Sequence, residues 1–477
     1  MRAAKNAGWL TGGRLIADLL SALLFVAISR RFGPPALGAY SYAFAIAGFV
    51  LVGSSLGIEP YGVREYARAA PGDRASLLRR LLTTQAASST LALLVAAIYL
   101  VATGASADVV TLTLALASYQ VALALAQTLF VPASASEAMR GPALSEMLCR
   151  AGAVLSALGI IAFTSNPLRV VVLGFPVAGA VLVGLGLTSA WRRGARPRLG
   201  APRSAVGATL RAVWPIAASQ LVYQLFSRAD LIMLALLAGG AAAGIYASGF
   251  KFIEVGITPM IFLASAAYPR LSQLHDQRGD GFSVLGARLL MGSLAVGGVV
   301  AWGLLFVVPA FVVPLFGDRF VQAASIVQLM AGLAALWPIE SAFSRILLAA
   351  HRQVWVLRVH ALGAAVNVAL NLLLIRRYGV PGAVLASIVA LAVMAVTAVW
   401  AGADLFPPRT LHRMLWGWAA ALGLAVAAGI GAQWMSHSTH LAALAGLAAF
   451  LLGMGATSAA SGAWVPALSP LGRPRGS

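Results

Sequence analysis

The residues most able to do chemistry in this sequence are six charges set inside long apolar runs: Arg14 with Asp18, Arg228 with Asp230, and Lys251 with Glu254. An ionised side chain near the centre of a bilayer costs about 2.5–3.5 kcal/mol even on a lenient insertion scale, so such residues face a protein interior or a watery cavity. Two readings are open. On a helix, Arg14 and Asp18 are spaced i, i+4 and Lys251 and Glu254 i, i+3, so each pair can neutralise itself and brace a bundle. Arg228 and Asp230 are two apart, point differently and call for partners on other helices. If they line a cavity instead, the cations face what passes through it, and Asp18, Asp230 and Glu254 are candidates for proton or sodium coupling.

The elements that must hold these charges are membrane spans. The chain is 60% hydrophobic and 10% charged, against about 25% charged in a soluble domain, and cannot cover itself with polar surface. The expected fold class is all-α and polytopic. A span needs about 20 mostly apolar residues. On that measure the sequence divides into fourteen spans, at 8–29, 36–58, 81–103, 109–131, 144–163, 169–190, 211–238, 242–267, 285–316, 320–350, 354–375, 380–402, 411–434 and 441–464. Pro309, Pro314 and Pro338 invite kinks in the ninth and tenth. The longest polar connection begins WRRGARPRLGAPR at Trp191, near the midpoint of the first twelve spans. The chain therefore parses into a six-helix lobe over 1–191, a basic cytoplasmic linker over 192–210, a second six-helix lobe over 211–403, and two further spans with a basic tail over 404–477.

Loop charge gives an orientation. With the N-terminus cytoplasmic, 22 Lys and Arg residues fall on the cytoplasmic side and 6 (Arg30, Arg31, Arg169, Arg319, Arg376 and Arg377) on the other. This asymmetry predicts an even number of spans with both termini cytoplasmic in the plasma (inner) membrane. It also accounts for the net charge of +20 through membrane orientation and anionic lipid headgroups, not nucleic acid. The segment YGVREYARAAPGDRASLLRR from Tyr61 reads as an amphipathic surface piece whose bland role is to lie near headgroups, substrate contact being the alternative. Arg14 and Asp18 break the apolar run that an export signal requires, so the first helix is expected to stay in the mature protein.

Other chemistries find no purchase. Cys149 is the single cysteine, which excludes an intrachain disulfide and a cysteine-based metal site. The six histidines form no HExxH spacing, and neither a catalytic constellation nor a loop large enough for a separate active domain is present. No enzyme activity, metal or cofactor is expected.

A faint internal repeat links the halves. GAYSYAFAIAGF begins at Gly38 after the first span, and GIYASGFKFIEV begins at Gly244 after the seventh, each following a span that carries an acid–base pair. Repeats of this kind are common in secondary transporters, where the halves rock against each other.

Asn6, the polar-studded first helix, SRRFGPPALGAYSYAFAIAGFV from Ser29, GIEPYGVREYAR from Gly57 and IRRYGVPGAVLASIV from Ile375 resemble the polysaccharide flippases of the multidrug, oligosaccharidyl-lipid and polysaccharide exporter superfamily. The resemblance in organisation covers nearly the whole chain, with the specific motifs in the first 70 or so residues and one later piece. It implies an alternating-access transporter with two six-helix lobes in a V. The implied substrate is an oligosaccharide on a polyprenyl pyrophosphate, turned from the cytoplasmic to the outer leaflet for cell-surface polysaccharide biosynthesis. Glycosyltransferases and a polysaccharide polymerase are implied partners beside the lipid-linked substrate and membrane lipids. Arg14, Arg228 and Lys251 would then stand at the lobe interface, where cations replace the water around a pyrophosphate. Gln220, Tyr223 and Gln224 share a helix with Arg228 and suit sugar hydroxyls, with helix–helix hydrogen bonding as the competing role. Asn367 and Asn371 read as interhelical glue, and Glu340, Arg345 and Arg358 as residues able to snorkel. A cation-coupled small-molecule exporter of the same superfamily, a lipid II flippase and a non-transporting scaffold are the alternative functions.

Overall fold

The computed structural model describes residues 19–163, 167–277, 280–436 and 439–461, and among these the regular structure is helical throughout. In chain order the helices are α1 (19–32), α2 (Pro34–Ser55), α3 (Ile58–Arg68), α4 (Arg74–Ala102), α5 (Ala107–Leu129), α6 (Val131–Ser134), α7 (Arg140–Phe163), α8 (Leu168–Val171), α9 (Gly174–Arg192) and α10 (Arg203–Leu237). They continue with α11 (Gly240–Gly256), α12 (Thr258–Asp276), α13 (Gly281–Phe306), α14 (Pro309–Phe316), α15 (Ala323–Ala349), α16 (Gln353–Tyr378), α17 (Val380–Gly402), α18 (Pro408–Ser436) and α19 (Thr439–Ser461). Helix is the form that apolar chain takes in lipid, because every backbone N–H and C=O must be paired without water. Large apolar side chains are accordingly left outward, Phe163 at 90% exposure and Val101 at 82%. The chain is a multi-pass membrane protein.

Among the described residues, eleven helical stretches are long and apolar enough to cross a membrane, or twelve if α11 and α12, bent by 40° at their junction, form one span. The expected fourteen is not reached among the described residues. Half of the first expected span lies outside the described residues, and the last falls on a shorter apolar stretch, Ala443–Ala459. Pro309 does more than kink its span: α13 ends at Phe306 and the proline opens α14, a position where its missing N–H costs nothing. Pro338 stays inside α15. The irregular connection after α9 is shorter than expected, because Pro202 precedes a helix that already runs from Arg203.

Two compact units emerge. The first comprises residues up to Ala247 with Leu315–Arg319, and the second Ser248–Pro314 with the chain from Phe320 onward. In the first, α2 packs on α4, α5 and α10, and α9 packs on α5 and α7. A buried polar knot joins three of these helices: Gln85 and Ser88 donate to the Ser54 carbonyl at 2.8 and 2.6 Å, and Thr128 donates to Gln85 Oε1 at 3.1 Å. In the second, α13, α15 and α17 form the centre, with α16 on α17 and α18 on α19. Asn371 donates to Asn367 at 3.0 Å and Asn367 to Ser387 at 3.2 Å, all three buried, so the asparagines do join α16 to α17.

Candidate functional site

In α10 the spacing of Gln220, Gln224 and Arg228 sets them on one face, with Tyr223 beside them. Gln220 and Tyr223 are exposed, whereas Gln224 and Arg228 are half-buried. Gln224 lies so close to α2 that a methyl group at Gly48 would fall on its amide nitrogen. Asp230 sits across the helix from Arg228. It is 6% exposed and accepts a hydrogen bond from the Tyr246 hydroxyl of α11 at 2.8 Å. Asp230 thus has a partner on another helix, as its spacing from Arg228 led one to expect.

Tyr246 is the partner that the residue pattern did not single out, although it closes the Gly-x-Tyr of the second repeat. A geometric signal existed: Asp230 and Tyr246 lie at similar distances from the turn between α10 and α11, and residues equidistant from a tight helical turn stand at similar depth. We expect Tyr246→Phe to lower the stability of the purified protein by about 1–3 kcal/mol by leaving a buried carboxylate short of a donor. Thermal unfolding in detergent measures this, and an unchanged transition would mean that the bond carries no weight.

Lys251 and Glu254 of α11 belong to the second unit. Lys251 Nζ lies 3.0 Å from Glu254 Oε2, with the side chains 25% and 33% exposed. The local pairing expected from their spacing is therefore present, and enough surface remains for either group to meet a ligand. Arg14 and Asp18 lie outside the described residues. In the first unit, Arg150 of α7 reaches α1 and donates to Ser21 at 3.2 Å.

The two copies of the repeat meet. A Cβ built on Gly38 would lie 2.9 Å from the Gly244 nitrogen and against the Gly240 carbonyl, and one built on Gly244 would lie 3.0 Å from the Gly38 nitrogen and against the Pro34 carbonyl. The contacts are reciprocal, each glycine facing its counterpart and the residue one turn before it. Only a residue without Cβ allows two helix backbones this close.

The Tyr61–Arg80 segment forms α3 and the start of α4. Ile58, Gly62 and Tyr66 are buried along one face of α3 while Arg64 and Arg68 are exposed, the pattern of a surface helix. Beside it lies a cavity of about 400 Å³ lined by Arg68, Arg79 and Arg80 together with Glu65 and Asp73. Glu340 does not snorkel: it is 5% exposed inside α15, with His360 of α16 3.0 Å away. Arg358 is exposed, its guanidinium 4.9 Å from the Trp355 ring centre. Among the described residues, no group of three or more metal-ligating side chains occurs.

The fold is that of known transporters. An inward closed structure of the lipid II flippase MurJ superimposes with a TM-score of 0.76 at 13% identity, over 94% of this chain and 99% of that one. An inward-facing multidrug resistance MATE family transporter of the MOP superfamily gives 0.61 at 15% identity, over 81% and 94%. A point mutant of the Vibrio cholerae MATE transporter VcmN gives 0.55 at 15% identity, over 85% and 98%. No curated protein matches the sequence. The model of the polysaccharide biosynthesis protein family matches residues 3–275, more than half of the chain and including the first three motifs and both Gly-x-Tyr segments, and the chain belongs to that family.

Proposed function

We propose that this protein is a flippase that moves polyprenyl-pyrophosphate-linked oligosaccharides from the cytoplasmic to the outer leaflet of the inner membrane, by alternating access, for cell-surface polysaccharide biosynthesis. The observation that carries the reading is the family match joined to a transporter fold, with cationic groups inside the spans. Arg228 and Lys251 are half-buried and, with Arg14, serve the pyrophosphate; Gln220, Tyr223 and Gln224 serve the sugars. Charge-assisted bonds to phosphate oxygens are the strong ones, and near the midplane they replace the water that a pyrophosphate loses. The basic linker and tail face the cytoplasm, where glycosyltransferases make the substrate, and a polymerase receives it on the far side. The lobes over 1–191 and 211–403 are the bodies that rock.

The test is reconstitution. Purified protein in liposomes is expected to carry a lipid-linked oligosaccharide between leaflets at a rate well above protein-free vesicles. No acceleration would overturn the reading. The likeness to MurJ over 94% of the chain favours one second reading, a lipid II flippase. A parallel arm with lipid II decides between them, since the faster cargo identifies the substrate class.

A further inference from the structure

A buried ionisable cluster in the second unit has no part in the charge pairs above. Glu340 of α15 is 5% exposed and Ser344, one turn on, is 8% exposed. The Ser344 hydroxyl donates to Glu340 Oε1 at 2.6 Å, and His360 Nε2 of α16 lies 3.0 Å from the same oxygen. Ionisable side chains inside membrane helices are rare and costly, and mark proton or ion pathways more often than scaffolding.

We infer that Glu340, Ser344 and His360 form a proton-binding site, and that its occupancy drives the transport cycle. The coupling role rests on the flippase reading; the proton site does not. The chemistry follows from which atoms face each other. With Ser344 already donating to Oε1, His360 meets an ionised Glu340 through Nε2–H. A carboxylate facing a neutral imidazole carries one net negative charge, and one incoming proton brings the pair to none. Uncompensated charge in a low-dielectric interior is penalised heavily, whereas a hydrogen-bonded opposite pair is tolerated. The protonated pair thus favours the buried arrangement seen here, and the deprotonated pair favours one open to water. A ligand that prefers one of two states shifts the balance between them.

The charged and titratable groups on the elements packed around the pair are few. α17 carries no titratable residue, and α13 carries only Arg288, which is exposed. α12 carries Tyr268, Arg270, His275 and Asp276, and Asp276 meets His351 at 3.3 Å. α11 packs on α15 through Phe250 against Trp337, and its Lys251 and Glu254 pair with each other. On α15 itself Arg345 is half-buried, and on α16 Arg358, Arg376, Arg377 and Tyr378 are exposed. Imidazole is the side chain whose ordinary titration falls between about pH 5 and 8.

Two measurements test the site. Infrared difference spectra of the purified protein between about pH 5 and 8 are expected to show a carboxylate band that Glu340→Gln removes and His360→Gln shifts. Spectra identical in wild type and both variants would overturn the proposal. In liposomes, a pH gradient is expected to accelerate translocation of lipid-linked oligosaccharide several-fold in wild type, while His360→Gln retains the rate without a gradient and loses the acceleration. A variant that still responds like wild type would also overturn coupling through this site. If Glu340→Gln fails to assemble, His360→Gln carries both comparisons, with Ser344→Ala expected to move the band without abolishing it. Absence of translocation in wild type, with the band intact, would overturn the flippase reading and leave the proton site standing.

Discussion

Alanine at Gly38 or Gly244 is expected to destabilise the purified protein, and leucine at either position to prevent the first unit from assembling. The obstacle on each side is backbone: the Gly244 nitrogen and Gly240 carbonyl against Gly38, the Gly38 nitrogen and Pro34 carbonyl against Gly244. A flexible side chain could turn away, but a helix backbone can yield only by moving the whole element. Alanine would normally gain about 1 kcal/mol over glycine inside a helix. Overpacking costs about 1–3 kcal/mol and at times more, so the balance is unfavourable. Gly184 and Gly303 supply the control, since a Cβ on either meets nothing within 4 Å and alanine there is expected to be neutral or stabilising. Thermal unfolding in detergent measures all four. Equal behaviour of Gly38→Ala and Gly184→Ala would show that the crossing is looser than described.

On the proposed flippase reading, Arg228→Gln is expected to slow translocation of the lipid-linked oligosaccharide by about 10- to 100-fold while leaving insertion intact. A hydrogen bond to a charged group contributes about 1.5–3 kcal/mol, and about 1.4 kcal/mol is a factor of ten in rate. Asp230 holds its own bond to Tyr246 on the other side of α10, so loss of the Arg228 charge does not deprive that carboxylate of its donor. The amount of folded protein recovered by size exclusion is expected to match wild type. A variant that is scarce or aggregated would point to a bracing role for Arg228, and a well-folded variant at full rate would remove it from the transport path.

Much of this was legible in the residues, for identifiable reasons. Apolar run length reports spans because the bilayer sets one scale for every helix, so α5, α15, α16 and α17 lie within three residues of their expected limits. Local charge spacing likewise foretold the Lys251–Glu254 pair and a partner for Asp230 on another helix. Long-range partners were not legible, because a hydrogen bond between helices depends on depth and rotation, which composition does not encode. Glu340 is the instructive case. Read alone it was a residue able to snorkel, yet it and His360 are roughly equidistant from the turn after Ala349, which in an antiparallel hairpin puts them face to face. Nor did twelve loosely matched letters announce that the two Gly-x-Tyr segments touch. That contact depends on the absence of side chains, which sequence similarity scarcely weighs. Among the described residues the count stays below fourteen because α11 and α12 are bent at their junction and because parts of the first and last expected spans lie outside those residues.

We propose that cations inside the spans carry an anionic headgroup across the membrane, and Lys251 offers the sharpest test because Glu254 stands 3.0 Å from it. If Lys251 merely braces α11 against Glu254, the double variant Lys251→Gln with Glu254→Gln removes both charges together and restores wild-type behaviour. If Lys251 serves the pyrophosphate, the double variant folds normally yet translocates the lipid-linked oligosaccharide about tenfold more slowly or worse, a loss of about 1.4 kcal/mol or more. The decisive measurement is that translocation rate in liposomes: a slow, well-folded double variant is the predicted result, and a rate equal to wild type would contradict it.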